Sequence, residues 1–317
     1  MSTKTNNISL VINTKNEEKN IKDCINSAIN IVGEIIVADM NSTDQTKKIA
    51  KSLGAKVYNV KDYGYVEPAR NFALSKATNE WILVLDADER LPKSLCDKII
   101  EIVTENKYDL VEIPFKNMIF NKHIKHTGWW PDNHIRLFKK NSVKWQDTIH
   151  TLPIYKGKKL TLPSDEKYAV IHNNYLSIDE FLTKLIRYTN TTKSIIVDTK
   201  NPKTDIISYY ESEFFRRYLD LEGYKDNTHG LILSKLMEFY KFVELAKVLE
   251  INNFPKINEE EFYKIFKSRS SNASNPASLE LERKYRETKT SLDKIQSAKV
   301  YKLWQKYNHI KKIVFRK

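Results

Sequence analysis

Two aspartates separated by one residue follow an apolar run, and their spacing suits metal chemistry. Asp86 and Asp88 flank Ala87 and come directly after WILVL at residues 81–85. Two carboxylates at the end of a strand can face one divalent cation. Oxygen ligands suit Mg²⁺ and Mn²⁺, which also bind phosphate oxygens. The pattern predicts a site for a metal–diphosphate complex, and a solvated acidic turn is the alternative.

Another carboxylate closes a second apolar run. Asp39 ends EIIVAD at residues 34–39, and Asn41, Ser42 and Thr43 follow it. Ser42 or Thr43 can cap the helix that comes next. An aspartate at a strand end can also accept a hydrogen bond from a base N–H or a ribose hydroxyl. We therefore predict that Asp39 binds a nucleoside.

These carboxylates need a scaffold, and the sequence alternates apolar runs with segments of helical periodicity. Strands are predicted at 8–13, 34–39, 55–60 and 81–85. Strands that alternate with helices at this spacing form a parallel sheet covered on both faces. Ligands bind at the carboxyl ends of such strands. Three polar groups are therefore expected to meet at one edge of the sheet: residues 14–16, 39–41 and 86–88.

The pattern changes beyond residue 108. Strands are predicted at 110–115 and 135–139, on either side of a loop rich in aromatic residues. Helical periodicity then runs from 177 to about 197 and again from 206 to 249. A stretch rich in Ser, Asn and Pro at 268–278 is typical of a linker.

The overall composition is that of an ordinary globular protein. The 317 residues are 41% hydrophobic and 29% charged. No apolar run is long enough to predict a transmembrane helix, and residues 1–7 do not resemble a signal peptide, so a cytoplasmic location is expected. Cys24 and Cys96 form no CxxC pair, and they predict neither a zinc site nor a disulfide framework.

Six segments together are similar to one enzyme family. They are ISLVINTKNEEKNIKDCINSA at 8–28, EIIVADMNSTDQTKKIAKSLGAKV at 34–57, ARNFALSKA at 69–77, WILVLDADERL at 81–91, HTGWWPDNHIRLFKK at 126–140 and HNNYLSIDEFLTKLIRYT at 172–189. They resemble family 2 of the glycosyltransferases, close to the branch that includes the lipopolysaccharide-core glucosyltransferases. The resemblance implies an α/β GT-A fold with a mostly parallel, Rossmann-like sheet and a helical C-terminal extension. It also implies an inverting sugar transfer from a nucleotide sugar, usually a UDP-sugar.

The resemblance implies roles for residues of the first half of the chain. By position, Thr14, Asn16, Glu17 and Asp39 line the nucleoside, and Arg70 lies near the phosphates of the donor. The nucleotide-sugar site as a whole is expected to contain eleven residues: Thr14, Asn16, Glu17, Asp39, Asn41, Arg70, Asp86, Ala87, Asp88, Trp130 and Arg136. Its nucleotide-sugar partner is expected to be UDP-linked.

The same resemblance implies a metal site. Asp86 and Asp88 are expected to hold Mn²⁺ or Mg²⁺ as the cofactor. His172, which opens HNNY, is a further candidate ligand for the metal or the diphosphate, although a structural histidine fits equally well. Lys184 and Arg187 lie on one helical face and could contact phosphate or simply face solvent.

An inverting enzyme of this family needs a carboxylate as its general base, and Asp132 in GWWPD is the best match. His150 is followed by Thr151, where relatives in this branch often carry Glu, so the second loop offers no equivalent carboxylate. Trp130, beside Asp132, is either a core aromatic or a platform for a sugar ring. Arg136 is expected to pair with Asp132 or to contact phosphate.

Two other function classes fit parts of the sequence. The basic C-terminus suits a nucleic-acid-binding protein, but the chain has no recognition motif, and we expect no nucleic-acid partner. A nucleotidyltransferase usually has a Gly-rich phosphate loop, and residues 14–20 contain no glycine. Within the transferase interpretation, the sugar is expected to be Glc or GlcNAc. The acceptor is a hydroxyl of a bacterial cell-surface glycan, lipid or protein, with Ser/Thr of a protein such as flagellin as the alternative.

The C-terminus is the unusual region, because most of the net charge of +13 lies in the last sixth of the chain. Residues 279–317 are expected to form a basic amphipathic helix, which must bury its apolar stripe. It could do so on the enzyme, in a homo-oligomer, or peripherally on an anionic membrane. The predicted organisation has four parts: a GT-A catalytic domain at 1–175, a helical acceptor-side region at 176–267, the linker at 268–278 and the tail at 279–317.

Overall fold

The computed structural model describes most of the chain up to residue 254. The described residues are 7–62, 67–145, 153–191, 212–251 and 253–254, together with Glu287 and Thr290. The predicted linker and almost all of the predicted tail helix lie outside them, as do His150 and Thr151. Residues up to Phe254 form one compact unit.

The first half of this unit is the predicted parallel sheet. Its strands are β1 (Ile8–Thr14), β2 (Glu34–Asp39), β3 (Lys56–Asn59) and β4 (Trp81–Asp86), in the order β3–β2–β1–β4. All seven residues of β1 are buried, as expected for a central strand covered on both faces. Helices α1 (Ile21–Ala28), α2 (Thr46–Ser52) and α3 (Glu67–Ser75) follow β1, β2 and β3. The strand–helix alternation predicted for this region is confirmed.

The second half continues the sheet in mixed orientation. Strand β8 (Asp132–Lys139) runs antiparallel to both β4 and β6 (Leu110–Ile119), and β12 (Val170–Tyr175) pairs parallel with β6. Helix α4 (Lys93–Glu105) precedes β6. Short strands complete the described sheets: β5 (Glu89–Arg90), β7 (Lys122–His123) and β11 (Lys159–Thr161), with β9 (Val143–Lys144) and β10 (Ile154–Tyr155) as a separate pair. Asp132, expected in a loop, is the first residue of β8 because it pairs with Phe115.

The core lies on both faces of the sheet. Side chains that alternate along β1 and β4, such as Leu10 and Leu83, pack on one face with α1 and α4. Their neighbours Val11 and Ile82 pack on the other face with Ala73 of α3. This alternation places successive residues at each strand end on opposite faces of the sheet.

A helical part follows β12. Helix α5 (Ile178–Thr191) and helix α6 (Asn227–Ile251) pack through a cluster that includes Phe181 and Leu233. The helix predicted from 206 to 249 is interrupted, because Glu222 and Asn227 adopt positive φ angles of 54° and 58° around a short 3₁₀ turn (Gly223–Asp226). No helix among the described residues is both long and apolar enough to cross a bilayer.

Candidate active site

The carboxyl ends of three neighbouring strands bring the predicted polar groups together. Thr14 of β1 lies beside Asp39 of β2, and Asn13 lies beside Asp86 of β4. Thr14 and Asp39 continue one face of their strands, whereas Asn13 and Asp86 continue the other. We call the polar side chains Asn13, Thr14 and Asp39 the strand-end cluster.

The loop that follows β1 and the loop that follows β2 are connected to each other by hydrogen bonds. These bonds fix the surroundings of the cluster. The backbone N–H of Asn16 donates to Oγ of Ser42 (2.8 Å), and the N–H of Thr43 donates to Oδ1 of Asn16 (2.8 Å). Asn16 and Asn41 both adopt positive φ angles, 56° and 57°. Asparagine tolerates this region better than most residues, so the two turns can stay tight.

The strand-end cluster carries several polar atoms without a partner. Buried atoms that lack a hydrogen bond among the described residues are both amide atoms of Asn13, Oγ1 of Thr14 and Oδ1 of Asp39. The other oxygen of Asp39 accepts from the N–H of Ser42 at 2.9 Å. Leaving a buried polar atom unsatisfied costs about 1–3 kcal/mol, so a polar ligand that supplies donors and acceptors would bind here favourably.

Glu17, also expected at the nucleoside, lies at the rim of this region. Its backbone N–H donates to Oγ1 of Thr46 (2.8 Å), and its carboxylate accepts from the side chain of Asn20 (2.8 Å). Burial raises the pKa of Glu17 above its usual range. The side chain is half-buried and oriented within its own loop.

Asp86 lies between two guanidinium groups. Its carboxylate is 3.3 Å from Nη2 of Arg70 on α3 and 3.1 Å from Nη2 of Arg136 on β8. Although burial opposes ionisation, Arg70 and Arg136 hold the pKa of Asp86 well below its usual range. Glu89 is fully buried and accepts from the same Arg136 at 2.5 Å. Burial raises the pKa of Glu89 to about 7. We call these four residues the arginine–carboxylate centre.

Asp88 faces a second group of cations. Its Oδ2 lies 3.6 Å from Nε2 of His172 on β12 and 3.7 Å from Nζ of Lys184 on α5. Burial opposes ionisation of Asp88, but the charge of His172 lowers its pKa. Lys184 also donates to the carbonyl of Asn174 (2.6 Å), so it belongs to the site and does not simply face solvent.

The metal prediction is only partly matched by this geometry. Within the described residues, no group of three or more His, Cys, Asp or Glu side chains is arranged to hold an ion. Asp86 is engaged by arginines, whereas Asp88 and Nε2 of His172 lie close together. A carboxylate oxygen and an imidazole nitrogen are a donor set that Mn²⁺ accepts, with remaining positions open to phosphate oxygens and water. These two residues therefore fit a divalent cation. Ala87 is buried between the two aspartates, and its contact with the nucleotide sugar stays a prediction.

Asp132 lies beyond β4 in the sheet, at the start of β8. Its Oδ1 is 2.9 Å from Nε2 of His134, and its Oδ2 accepts from the side chain of Asn117 at 3.0 Å. Burial opposes ionisation, but the hydrogen bond and charge of His134 lower the pKa of Asp132. Trp130 contacts His123 edge-on, with ring centroids 5.1 Å apart. The carboxylate of Asp132 is therefore ionised at neutral pH.

The segment at residues 122–132, which we call the Asp132 loop, is held by a distant part of the chain. Asp226 accepts from the backbone N–H of His126 at 2.8 Å. The N–H of Thr127 donates to the carbonyl of Leu221 (2.9 Å), and Arg217 donates to the carbonyl of Thr127 (2.7 Å). These contacts connect positions that are 90–100 residues apart in sequence. They fix the backbone that leads to Asp132.

Comparison with known proteins agrees with the chemistry of this site. The family model described as "Glycosyl transferase family 2" matches residues 9–160. A relative from Rickettsia bellii, named as an uncharacterized glycosyltransferase, is 32% identical over 78% of this chain and 88% of its own length. The chain belongs to glycosyl transferase family 2. This enzyme is also 29% identical to the SPbeta prophage-derived glycosyltransferase SunS of Bacillus subtilis, over 78% of this chain and 54% of SunS.

Among solved structures, S. aureus TarS in complex with UDP is similar to this family 2 glycosyltransferase with a TM-score of 0.40 and 15% identity. The match covers 76% of this chain and 88% of the TarS chain. The mixed α/β fold with a mostly parallel first half, expected from the sequence, is what the family 2 enzyme has. The fit to the lipopolysaccharide-core branch remains a prediction.

The structure brings several of the predicted residues of this glycosyltransferase to the candidate site, together with others that the sequence did not indicate. Asn13 lies inside the apolar run ISLVIN, and a polar residue in a buried strand was the signal that could have marked it. Arg136 pairs with Asp86 and Glu89, whereas the sequence suggested Asp132 or phosphate. Arg136 lies at an irregularity in the pairing of β8 with β6, where its guanidinium packs over the ring of Phe115 and reaches Asp86 and Glu89. No local sequence pattern indicated that Asp226 supports the segment before Asp132.

Proposed function

We propose that this glycosyltransferase transfers a sugar, Glc or GlcNAc, from a UDP-linked donor to an acceptor hydroxyl with inversion of the anomeric centre. The observation that carries the proposal is the strand-end cluster, which has unpartnered polar atoms and whose Asn13 lies beside Asp86 of β4. One edge of the sheet thus offers hydrogen-bonding groups for a nucleoside directly beside groups that handle a diphosphate.

The nucleoside half of the proposal rests on complementarity. The free oxygen of Asp39 is an acceptor for a base imide N–H or a ribose hydroxyl, and Oγ1 of Thr14 can donate or accept. The tight turns at Asn16 and Asn41 border the same edge and would close around the base. Uracil presents one N–H between two carbonyls, which matches a mixed set of acceptors and donors.

The proposed binding of the donor's diphosphate is supported by positively charged groups near Asp86 and Asp88. Nε of Arg70 is buried without a partner among the described residues, so Arg70 has a donor to spare while it holds Asp86. Asp88 and His172 would hold Mn²⁺ or Mg²⁺. When bound, the cation stabilises the negative charge that develops on the leaving diphosphate. Lys184 lies beside Asp88 and adds positive charge to the same place.

Asp132 is proposed as the general base. It accepts the proton of the acceptor hydroxyl as the oxygen bonds to the anomeric carbon, while the bond from that carbon to the diphosphate oxygen breaks. UDP leaves with the electron pair of that bond. A single displacement of this kind inverts the anomeric configuration. Asp132 is ionised at neutral pH, which a base must be before it can accept a proton.

The acceptor is proposed to approach along the Asp132 loop. Trp130, which packs edge-on against His123, provides a partly exposed aromatic ring there, and the CH-rich faces of sugars pack on such rings. An acceptor hydroxyl on a cell-surface glycan fits this surface. A hydroxyl of a lipid or a protein could reach Asp132 along the same path.

The proposal is tested with purified full-length protein. Calorimetry with UDP, GDP and ADP in the presence of Mn²⁺ should give binding for UDP alone. UDP release from UDP-Glc or UDP-GlcNAc should depend on the cation, and NMR of the fresh product should show the inverted anomer. Asp88→Asn should weaken Mn²⁺-dependent UDP binding and release, whereas the matched control Asp97→Asn, on the exposed side of α4, should not.

Three results would each reject a part of the proposal. Absence of UDP binding with either cation would remove the donor assignment. Undiminished UDP release by Asp88→Asn with EDTA present would remove the metal role. A product that retains the donor's anomeric configuration would reject the single displacement, because retention requires two successive substitutions.

A further inference from the structure

Asn117 occupies a position where a sheet of this kind normally has an apolar residue. It lies on β6, between β8 and β12, and its side chain is fully buried. Most of its β6 neighbours on the buried positions are apolar, among them Ile113, Phe115 and Ile119. A buried amide must satisfy its donors and its acceptor, so the contacts of Asn117 identify what it does.

The contacts fix which way the amide is oriented. Nδ2 lies 3.0 Å from Oδ2 of Asp132 and 3.1 Å from the carbonyl oxygen of Trp129. Both of these atoms are acceptors, since the carboxyl of Asp132 is ionised, so the NH₂ group must face them. The carbonyl oxygen Oδ1 then faces Nδ1 of His172 at 2.7 Å.

This orientation determines the tautomer of His172. An amide oxygen only accepts hydrogen bonds, so Nδ1 of His172 carries the hydrogen and donates it to Asn117. In the neutral ring the lone pair is then on Nε2, the atom 3.6 Å from Asp88. Histidines that bind metals through one nitrogen almost always donate the other N–H to a neighbouring acceptor. Asn117 supplies that acceptor here.

We propose that Asn117 is a positioning residue that couples the two halves of the reaction. Through Oδ1 it presents Nε2 of His172 to the cation, and through Nδ2 it orients Asp132 toward the acceptor hydroxyl. The proposal rests on the proposed function, in which His172 holds the cation and Asp132 is the base. One side chain therefore sets the geometry of the leaving-group side and of the attacking side together.

Strand register explains how the side chain of Asn117 can contact both His172 and Asp132. Asn117 lies directly opposite His172 in the parallel β6–β12 pair, and Asp132 lies opposite Phe115 in the antiparallel β6–β8 pair, two residues away on the same face. Residues at i and i+2 of a strand point to the same side. The two partners of Asn117 are therefore held by backbone pairing, and the amide fixes only their side-chain orientation.

Two substitutions separate the two contacts. The Asn117→Leu variant loses both contacts, and its affinity for Mn²⁺ should fall about 10–100-fold. The affinity is measured from the electron paramagnetic resonance signal of free Mn²⁺, with and without UDP. In Asn117→Asp the carboxylate still accepts from Nδ1 of His172, so Mn²⁺ affinity should stay within about threefold of the wild-type value. The second variant cannot donate to Asp132 and repels it, so kcat should fall at least about 10-fold.

The controls distinguish a failure of the proposed role of Asn117 from a failure of the proposed metal site on which it rests. Met118→Leu, at the next position of β6, should change neither quantity. If Asn117→Leu binds Mn²⁺ like the wild type while Asp88→Asn and His172→Ala do not, the role of Asn117 is rejected and the metal site stands. If all three variants bind Mn²⁺ like the wild type, the metal site itself is rejected. Should Asn117→Leu fail to fold, Asn117→Asp decides, because a loss of Mn²⁺ affinity there would overturn the proposal.

Discussion

The strand-end cluster and the Asp132 loop lie in one compact unit but are stabilised in different ways. The polar ends of β1, β2 and β4 come from adjacent parallel strands, and the loops that border them are close in sequence to those strands. The Asp132 loop is fixed by Arg217 and Asp226, which follow it by 90–100 residues. Under the proposed roles, binding of the donor depends on local strand–helix units, whereas placement of the general base depends on the helical part of the chain.

The difference also separates two kinds of kinetic effect. Substitutions near the strand-end cluster should act on donor affinity, and substitutions in or behind the Asp132 loop should act on kcat. Asn117 and His172 connect Asp132 to Asp88: Asn117 donates to Asp132, His172 is hydrogen-bonded to Asn117, and Nε2 of His172 lies 3.6 Å from Asp88.

The largest effect should come from Asp132→Asn. Loss of a general base lowers kcat by about 10²–10⁴-fold, and the amide keeps the size of the side chain. The affinity for UDP should not change, because Asp132 belongs to β8 and has no contact with the strand-end cluster among the described residues. Steady-state kinetics and UDP calorimetry measure the two quantities. Unchanged kcat would place the base elsewhere, and Asp97→Asn serves as the control.

An intermediate effect is expected from Asp226→Ala. The variant removes the acceptor of the His126 N–H and loosens the Asp132 loop, and misplacement of a reacting group by about 1 Å can cost up to about 100-fold in rate. We expect kcat to fall about 10-fold or more with UDP affinity unchanged. Asp220→Ala, an exposed aspartate in the same segment, is the matched control. A variant that loses UDP affinity instead would mean that the two regions are not separable.

The smallest effect should come from Glu34→Gln, at the opposite end of β2 from the cluster. The carboxylate accepts hydrogen bonds from Ser9 and Thr78. Burial opposes ionisation, but these bonds lower the pKa of Glu34 from 4.5 to about 2. A lowered folded-state pKa stabilises the protein above pH 4.5, and this contribution is lost as the pH falls toward 2.

Urea unfolding at two pH values tests this prediction. At pH 7 the free energy of unfolding of Glu34→Gln should be roughly 1–3 kcal/mol below that of the wild type, and the gap should narrow at pH 3. Transfer activity at pH 7 should be unchanged. A gap of equal size at both pH values would show that the loss does not depend on the charge of Glu34.

The two regions also differ in how far the sequence alone predicts them. Short apolar runs and the polar residues after them are local signals, so the positions of Asp39 and Asp86 at strand ends followed directly. The pairing of Arg136 with Asp86 was not predicted, because antiparallel pairing of β8 with β4 leaves no trace in the local pattern, and its contact with phosphate stays a prediction. The support of the Asp132 loop by Asp226 was not predictable, since a lone aspartate before a helix resembles any N-terminal cap.

The contact between His126 and Asp226 spans 100 residues, and this has a consequence for synthesis of the chain. Ribosomes deliver the N-terminal part first, and local units fold before contacts of long sequence separation can close. A nascent chain that ends before Asp226 can already have β1, β2 and β4 paired, but its Asp132 loop still lacks its anchor. Under the proposed roles, such a chain has its nucleotide site in place before its general base is held, so donor binding precedes transfer activity during synthesis.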